Sequence, residues 1–152
     1  MATKHHSDQL RIGRHSESGQ IYLLTAVIVN RHPVCSSFSA GRIVVDAFRK
    51  AQQERLASTL AFVVMPDHFH WLIELQDVSL SKLMGRTKSR TTVALNRELR
   101  REGPLWQPGF HERAIRKEED LQAVARYIVA NPVRAGLAGK VGDYPLWDAT
   151  WL

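Results

Sequence analysis

Two apolar runs, Thr59–Met65 and His68–Leu75, stand on either side of the dipeptide Pro66-Asp67, and this constrains the fold more than any other feature of the chain. The dipeptide is a turn signal, and runs of this length bounded by a turn read as strands. Together they predict an antiparallel hairpin. The second run also predicts which side of it is buried, because alternate strand residues point to opposite faces. Phe69, Trp71, Ile73 and Leu75 share one wholly apolar face, which is the expected core. His68, His70, Leu72 and Glu74 share the other. Two imidazoles therefore stand side by side, off the expected core, able to converge on one point.

The rest of the chain supplies the partners of this hairpin. The β-branched run between Gln20 and Asn30 predicts a buried strand, broken by Arg31-His32-Pro33. From about Ser39 the residues Ile43, Val44, Ala47, Phe48 and Ala51 form one helical stripe. Ser79–Arg101 reads as a long helix with Leu80, Leu83, Met84, Ala94 and Leu95 on its apolar face, ended by Gly103-Pro104. Leu105–Arg116 reads as extended, with a turn at Pro108-Gly109. Lys117–Ala130 reads as a helix whose first turn carries Glu118, Glu119 and Asp120, where carboxylates suit the helix dipole. The order strand, helix, hairpin, helix, strand, helix predicts an α+β fold, a ferredoxin-like antiparallel sheet with helices packed on it. Residues 1–19 are polar and read as an arm or loop, 20–152 as a single domain, and the tail around Tyr144-Pro145-Leu146-Trp147 as a surface segment pinned by aromatics.

Composition narrows the function. With 152 residues and 44% hydrophobic residues the chain can bury a core without staples. Its one cysteine, Cys35, excludes an intramolecular disulfide and any multi-cysteine zinc site. Apolar runs fall far short of the roughly 20 residues of a membrane helix, and the first residues lack an apolar export core, so no membrane partner and a cytoplasmic location are expected. The net charge is +6. Between Gln76 and Lys117 there are ten basic residues and four acidic ones, so this segment alone carries the whole excess. Such a cluster favours a polyanionic partner, and Lys82, Arg86, Arg90, Arg97 and Arg113 are its expected phosphate contacts, joined by Arg11 and Arg14 in the arm.

The last helix carries the third piece of chemistry. Leu121, Val124, Ala125, Ile128 and Val129 make its core stripe, and at 100° per residue Tyr127 falls about 130° from the stripe's centre. Its hydroxyl is expected to be accessible, and Asn131 lies one turn later on the same flank. A phenol can attack a phosphodiester if its proton leaves and the phosphate is polarised. A cation held by two histidines supplies that polarisation, and an arginine-rich helix can hold a nucleic-acid strand.

These blocks are recognisable. Phe62–Leu75 (FVVMPDHFHWLIEL) resembles the metal-binding hairpin of the HUH single-tyrosine transposases. Trp106–Leu121 and Tyr127–Leu137 resemble that family's C-terminal block, and Leu10–Ser16 and Asp143-Tyr144-Pro145 also fit. The nearest branch in pattern is the REP-associated tyrosine transposases, and the resemblance runs from about Leu10 to Trp147. It implies a metal-dependent single-stranded DNA endonuclease and strand transferase acting at hairpin DNA. His68 and His70 would bind Mg²⁺ or Mn²⁺, with Asn131 as a weaker third ligand for which Glu74 and His111 compete. Tyr127 would form a 5′-phosphotyrosine and leave a free 3′-OH. Monomer and homodimer both remain open. Two other readings use the same residues, namely a DNA-binding protein without catalysis and a phosphodiesterase that activates water.

Overall fold

The computed structural model describes residues 4–6 and 19–149, with the side chains of 4–6 and of Glu119 left aside. Arg11 and Arg14 lie outside the described residues. The elements are β1 (Lys4–His6), β2 (Ile21–Val27), α1 (Phe38–Gln53), β3 (Ala57–Val64), β4 (His68–Leu75), α2 (Leu80–Leu99), β5 (Phe110–Ile115), α3 (Glu118–Val129), the single turn α4 (Asn131–Arg134) and β6 (Trp147–Ala149). The six strands form one antiparallel sheet in the order β1-β5-β2-β4-β3-β6. Its inner four strands with α1 and α2 make the expected ferredoxin-like unit.

Local chemistry explains the boundaries. β4 has the bounds expected from its alternation. β2 is shorter than its apolar run because Asn30 and Arg31 turn into left-handed φ values of 56° and 52°. Ser37 and Ser79 cap α1 and α2, their hydroxyls accepting from the amides of Ala40 (3.2 Å) and Lys82 (3.1 Å). Residues 4–6, read as part of an arm, instead extend the sheet beside β5, and the tail adds β6 beside β3. Both additions protect edges that a four-stranded sheet would leave open.

The sheet has two covered faces, which corrects the expectation that the Phe69/Trp71 face alone is core. On that face Leu24, Phe69, Trp71 and Ile73 pack against Val44 and Phe48 of α1 and Leu83 and Met84 of α2. Trp71 stacks on Phe48 with ring centroids 4.3 Å apart, and its Nε1 donates to Thr59 Oγ1 at 2.9 Å. On the opposite face Val63, Leu72 and Ile115 pack against Leu121, Val124, Ala125 and Ile128 of α3. Fully burying each large aliphatic chain contributes about 1.5–3 kcal/mol. A handful of them holds α3 over the same face that carries the histidines.

Candidate active site

The register places the histidine pair. His68 stands opposite Val27, and His70 opposite Thr25 on one side and Val63 on the other. Thr25 in turn stands opposite His111 of β5, so His70, Thr25 and His111 form a row across three strands on the face that α3 covers. The rings of His68 and His70 lie 5.0 Å apart between centroids, at 78° to each other. The expected shared face is observed, but the pair is not solvent-facing. His68 has only 18% of its side chain exposed.

Each imidazole has one nitrogen engaged by the protein. Asp67 Oδ1 accepts from His68 Nδ1 at 2.7 Å, which fixes the tautomer and leaves Nε2 as the free lone pair. Asp67 is itself held by Arg31, Nη1 to Oδ2, at 3.1 Å. Burial would raise the Asp67 carboxyl, but its bonds to His68 and Arg31 outweigh that and hold it below the usual range. His70 Nδ1 shares a 2.7 Å hydrogen bond with Thr25 Oγ1. Burial first, then the charges of His68, Arg134 and His111, push His70 down to about 3, so it stays neutral at physiological pH. A neutral imidazole and a carboxylate-oriented imidazole on one face are the donor set that suits a divalent cation. Among the described residues no cluster of three His, Cys, Asp or Glu forms, so the two histidines need an oxygen from another source.

Tyr127 comes to the same place from α3. Its ring is 59% exposed, while Leu121, Val124, Ala125, Ile128 and Val129 are all buried, as the helical stripe predicts. Tyr127, His70, Thr25, His111, Arg113 and Asp120 line one pocket of about 480 Å³. Arg113 projects into it from β5, two residues beyond His111, and its Nε is buried with no hydrogen-bond partner. Asn131, the expected third ligand, has its Oδ1 held by Arg134 Nη2 at 2.9 Å. Glu74 sits farther along β4, opposite Ile21 and Ser58.

The remaining expected DNA contacts lie elsewhere. α2 packs on the Phe69/Trp71 side of the sheet, away from His68, His70 and Tyr127. On it Lys82 and Arg97 are exposed. Arg86 and Arg90 both reach Glu54 at the end of α1, Arg86 at 3.3 Å. Lys88 turns into the fold, donating to the carbonyls of Gln107 (3.0 Å) and Gly109.

Thr25, Asp67, Arg31 and Arg134 were not singled out from sequence. Asp67 had a signal in its place directly before the histidine strand, and Arg134 in its three-residue spacing from Asn131. Thr25 had none, since its contact depends on cross-strand register.

Comparison with known proteins gives the family and the fold. Residues 17–131 match the family described as "Transposase IS200 like". A REP-associated tyrosine transposase of Escherichia coli is 33% identical over 101 residues, which are 65% of this chain and 58% of that protein. A Haemophilus influenzae protein named for the same group is 30% identical over 142 residues, 84% of this chain and 78% of its own length. Among solved structures, a REP-associated tyrosine transposase bound to a REP hairpin aligns with a TM-score of 0.76 and 28% identity, over 88% of this chain and 79% of that one. A transposase-like chain from Deinococcus radiodurans, 20% identical with a TM-score of 0.56 over 76% of this chain and 93% of its own, shares the fold. The chain belongs to the IS200-like transposase family and falls with its REP-associated tyrosine transposases.

Proposed function

We propose that the protein is a metal-dependent endonuclease and strand transferase for single-stranded DNA, acting at hairpins through a covalent tyrosine intermediate. The observation that carries this reading is the position of Tyr127: an exposed phenol on the wall of the pocket that also holds His70, on the face shared with His68. The solved relative bound to a REP hairpin supports the choice of substrate.

The residues divide the work. Tyr127 Oη attacks the scissile phosphorus, the bond from phosphorus to the 3′ oxygen breaks, and the product is a 5′-phosphotyrosine with a free 3′-OH. The phenol proton leaves to solvent and the departing 3′ oxygen takes one up. The diester bond energy is kept in the adduct, so a 3′-OH can reverse the step and join strands without ATP. His68 and His70 would hold a divalent cation such as Mg²⁺ or Mn²⁺, with an oxygen from Asn131 or water, and its charge would offset that building on the phosphate. Asp67 and Thr25 orient the two rings. Arg113 lines the same pocket as Tyr127, and a guanidinium is suited to a phosphate oxygen. The exposed cations of α2 would hold more distant phosphates.

The test is incubation with a pool of single-stranded hairpin DNAs and Mn²⁺, followed by denaturing electrophoresis. A protein–DNA adduct that needs the metal is expected. Binding without cleavage would favour a DNA-binding protein without catalysis, and cleavage without an adduct would favour water as the nucleophile.

A further inference from the structure

α3 ends at Val129, so the carbonyls of its last turn must find donors other than its own N–H groups. Arg134 supplies one. Its Nη2 donates to the carbonyl of Tyr127 at 2.7 Å and to Asn131 Oδ1 at 2.9 Å. One nitrogen has two protons, and both are used. The guanidinium carbon also lies 3.8 Å from the centroid of the Tyr127 ring, a stacked cation–π contact. A planar fork that stacks on an aromatic while bonding two acceptors is a geometry that only arginine can make.

Three contacts from one side chain thus tie together the backbone of Tyr127, its ring and the amide of Asn131. Tyr127 is otherwise an exposed side chain on the last turn of a helix, free to sample other rotamers at small cost. We propose that Arg134 is a positioning residue for strand cleavage: it holds the nucleophile ring and the Asn131 amide as one unit facing the histidine pair. This rests on the reading of Tyr127 as nucleophile. With its oxygen held by Arg134, Asn131 has one remaining lone-pair direction to offer, so the arginine also sets which way that ligand points.

The experiment compares full-length wild type, Arg134→Ala, Arg134→Lys and Arg134→Gln with the hairpin pool and Mn²⁺, following adduct formation in a single turnover. Circular dichroism and melting temperature serve as fold controls, with Arg134→Gln keeping the stem to Cδ and a polar end if Ala lowers the melting temperature. In all three variants the adduct rate should fall about 10–100-fold, the scale set by a misplacement of about 1 Å. The DNA concentration for half-maximal rate should stay within about twofold. Lys should not restore the rate, because a point charge cannot stack and bridge two oxygens at once. Arg134→Ala combined with Asn131→Ala should be no slower than the slower single variant. A wild-type rate in Arg134→Ala, or a loss confined to the half-maximal DNA concentration, overturns the proposal while leaving Tyr127 as nucleophile. Additive losses in the double variant overturn the shared unit. Absence of an adduct in the wild type overturns the nucleophile reading, and the role of Arg134 falls with it.

Discussion

A tyrosine hydroxyl with an ordinary pKa near 10 is mostly protonated at neutral pH, so position and surrounding charge must do much of the work. Tyr127→Phe removes one oxygen and leaves the ring over which Arg134 stacks. Fold and hairpin binding should therefore persist while cleavage and adduct both vanish. Cutting at the wild-type rate by Tyr127→Phe would assign the attack to water. The residue behind His70 makes a second prediction. Thr25→Val keeps the shape but takes away the partner of His70 Nδ1. The Mn²⁺ concentration for half-maximal cleavage should rise about 10–100-fold, the usual effect of losing a residue that orients a ligand. Unfolding should become easier by about 1–3 kcal/mol, because a buried ring nitrogen is left unpaired. An unchanged metal titration would mean that Thr25 is packing only.

At the scale of elements, α2 is both a structural brace and a basic surface, and its contacts through Glu54 and through Lys88 separate these roles. Glu54 pairs with both Arg86 and Arg90 and offsets one of their two charges. Glu54→Gln should release both guanidinium groups, strengthen hairpin-DNA binding and steepen its salt dependence, by about 0.7 in log–log slope for each phosphate gained on a single strand. Weaker binding, measured by titration at several salt concentrations, would show that the ion pairs hold α2 in place for DNA. Lys88 does the bracing. Burial pushes its ammonium down to about 8, against the ordinary 10.5 of an unfolded lysine. Between those values the unfolded chain binds the extra proton, so this group makes stability rise with pH from about 8 to 10.5. In urea unfolding, the stability of wild type relative to Lys88→Met should rise over that window, a difference that cancels the opposite effects of Cys35 and Tyr144, which burial pushes up to about 12. Strand β4 and the stripe of α3 were legible because alternation and helical period each act within a single element. Lys88 was read with its basic neighbours because its carbonyl partners, Gln107 and Gly109, lie about 20 residues away, beyond any local pattern.

The whole molecule separates what the sequence places close together. The ferredoxin-like order could be read from the succession of strands and helices, but which face each helix covers depends on packing. α2 and α3 lie on opposite sides of the sheet, so Lys82, Arg86, Arg90 and Arg97 are not beside Tyr127. Likewise β6 and the strand at 4–6 owe their structure to partner edges that local sequence does not reveal. With layers packed about 10 Å apart, a DNA strand that touches both the pocket and the outer surface of α2 must span roughly 20 Å around an edge. Length then becomes a test of the path. A dinucleotide, small enough for the 480 Å³ pocket and too short to reach α2, should bind with a shallow salt dependence and be indifferent to Arg86→Glu. It should be weakened strongly by Arg113→Ala, because Arg113 lines that pocket. A long hairpin with a single-stranded extension should feel both changes, and should lose affinity to Arg86→Glu equally for all sequences, since phosphate contacts carry no base information. If the dinucleotide responds to Arg86→Glu as strongly as the long hairpin does, the two surfaces act as one, and the path around the sheet edge is wrong.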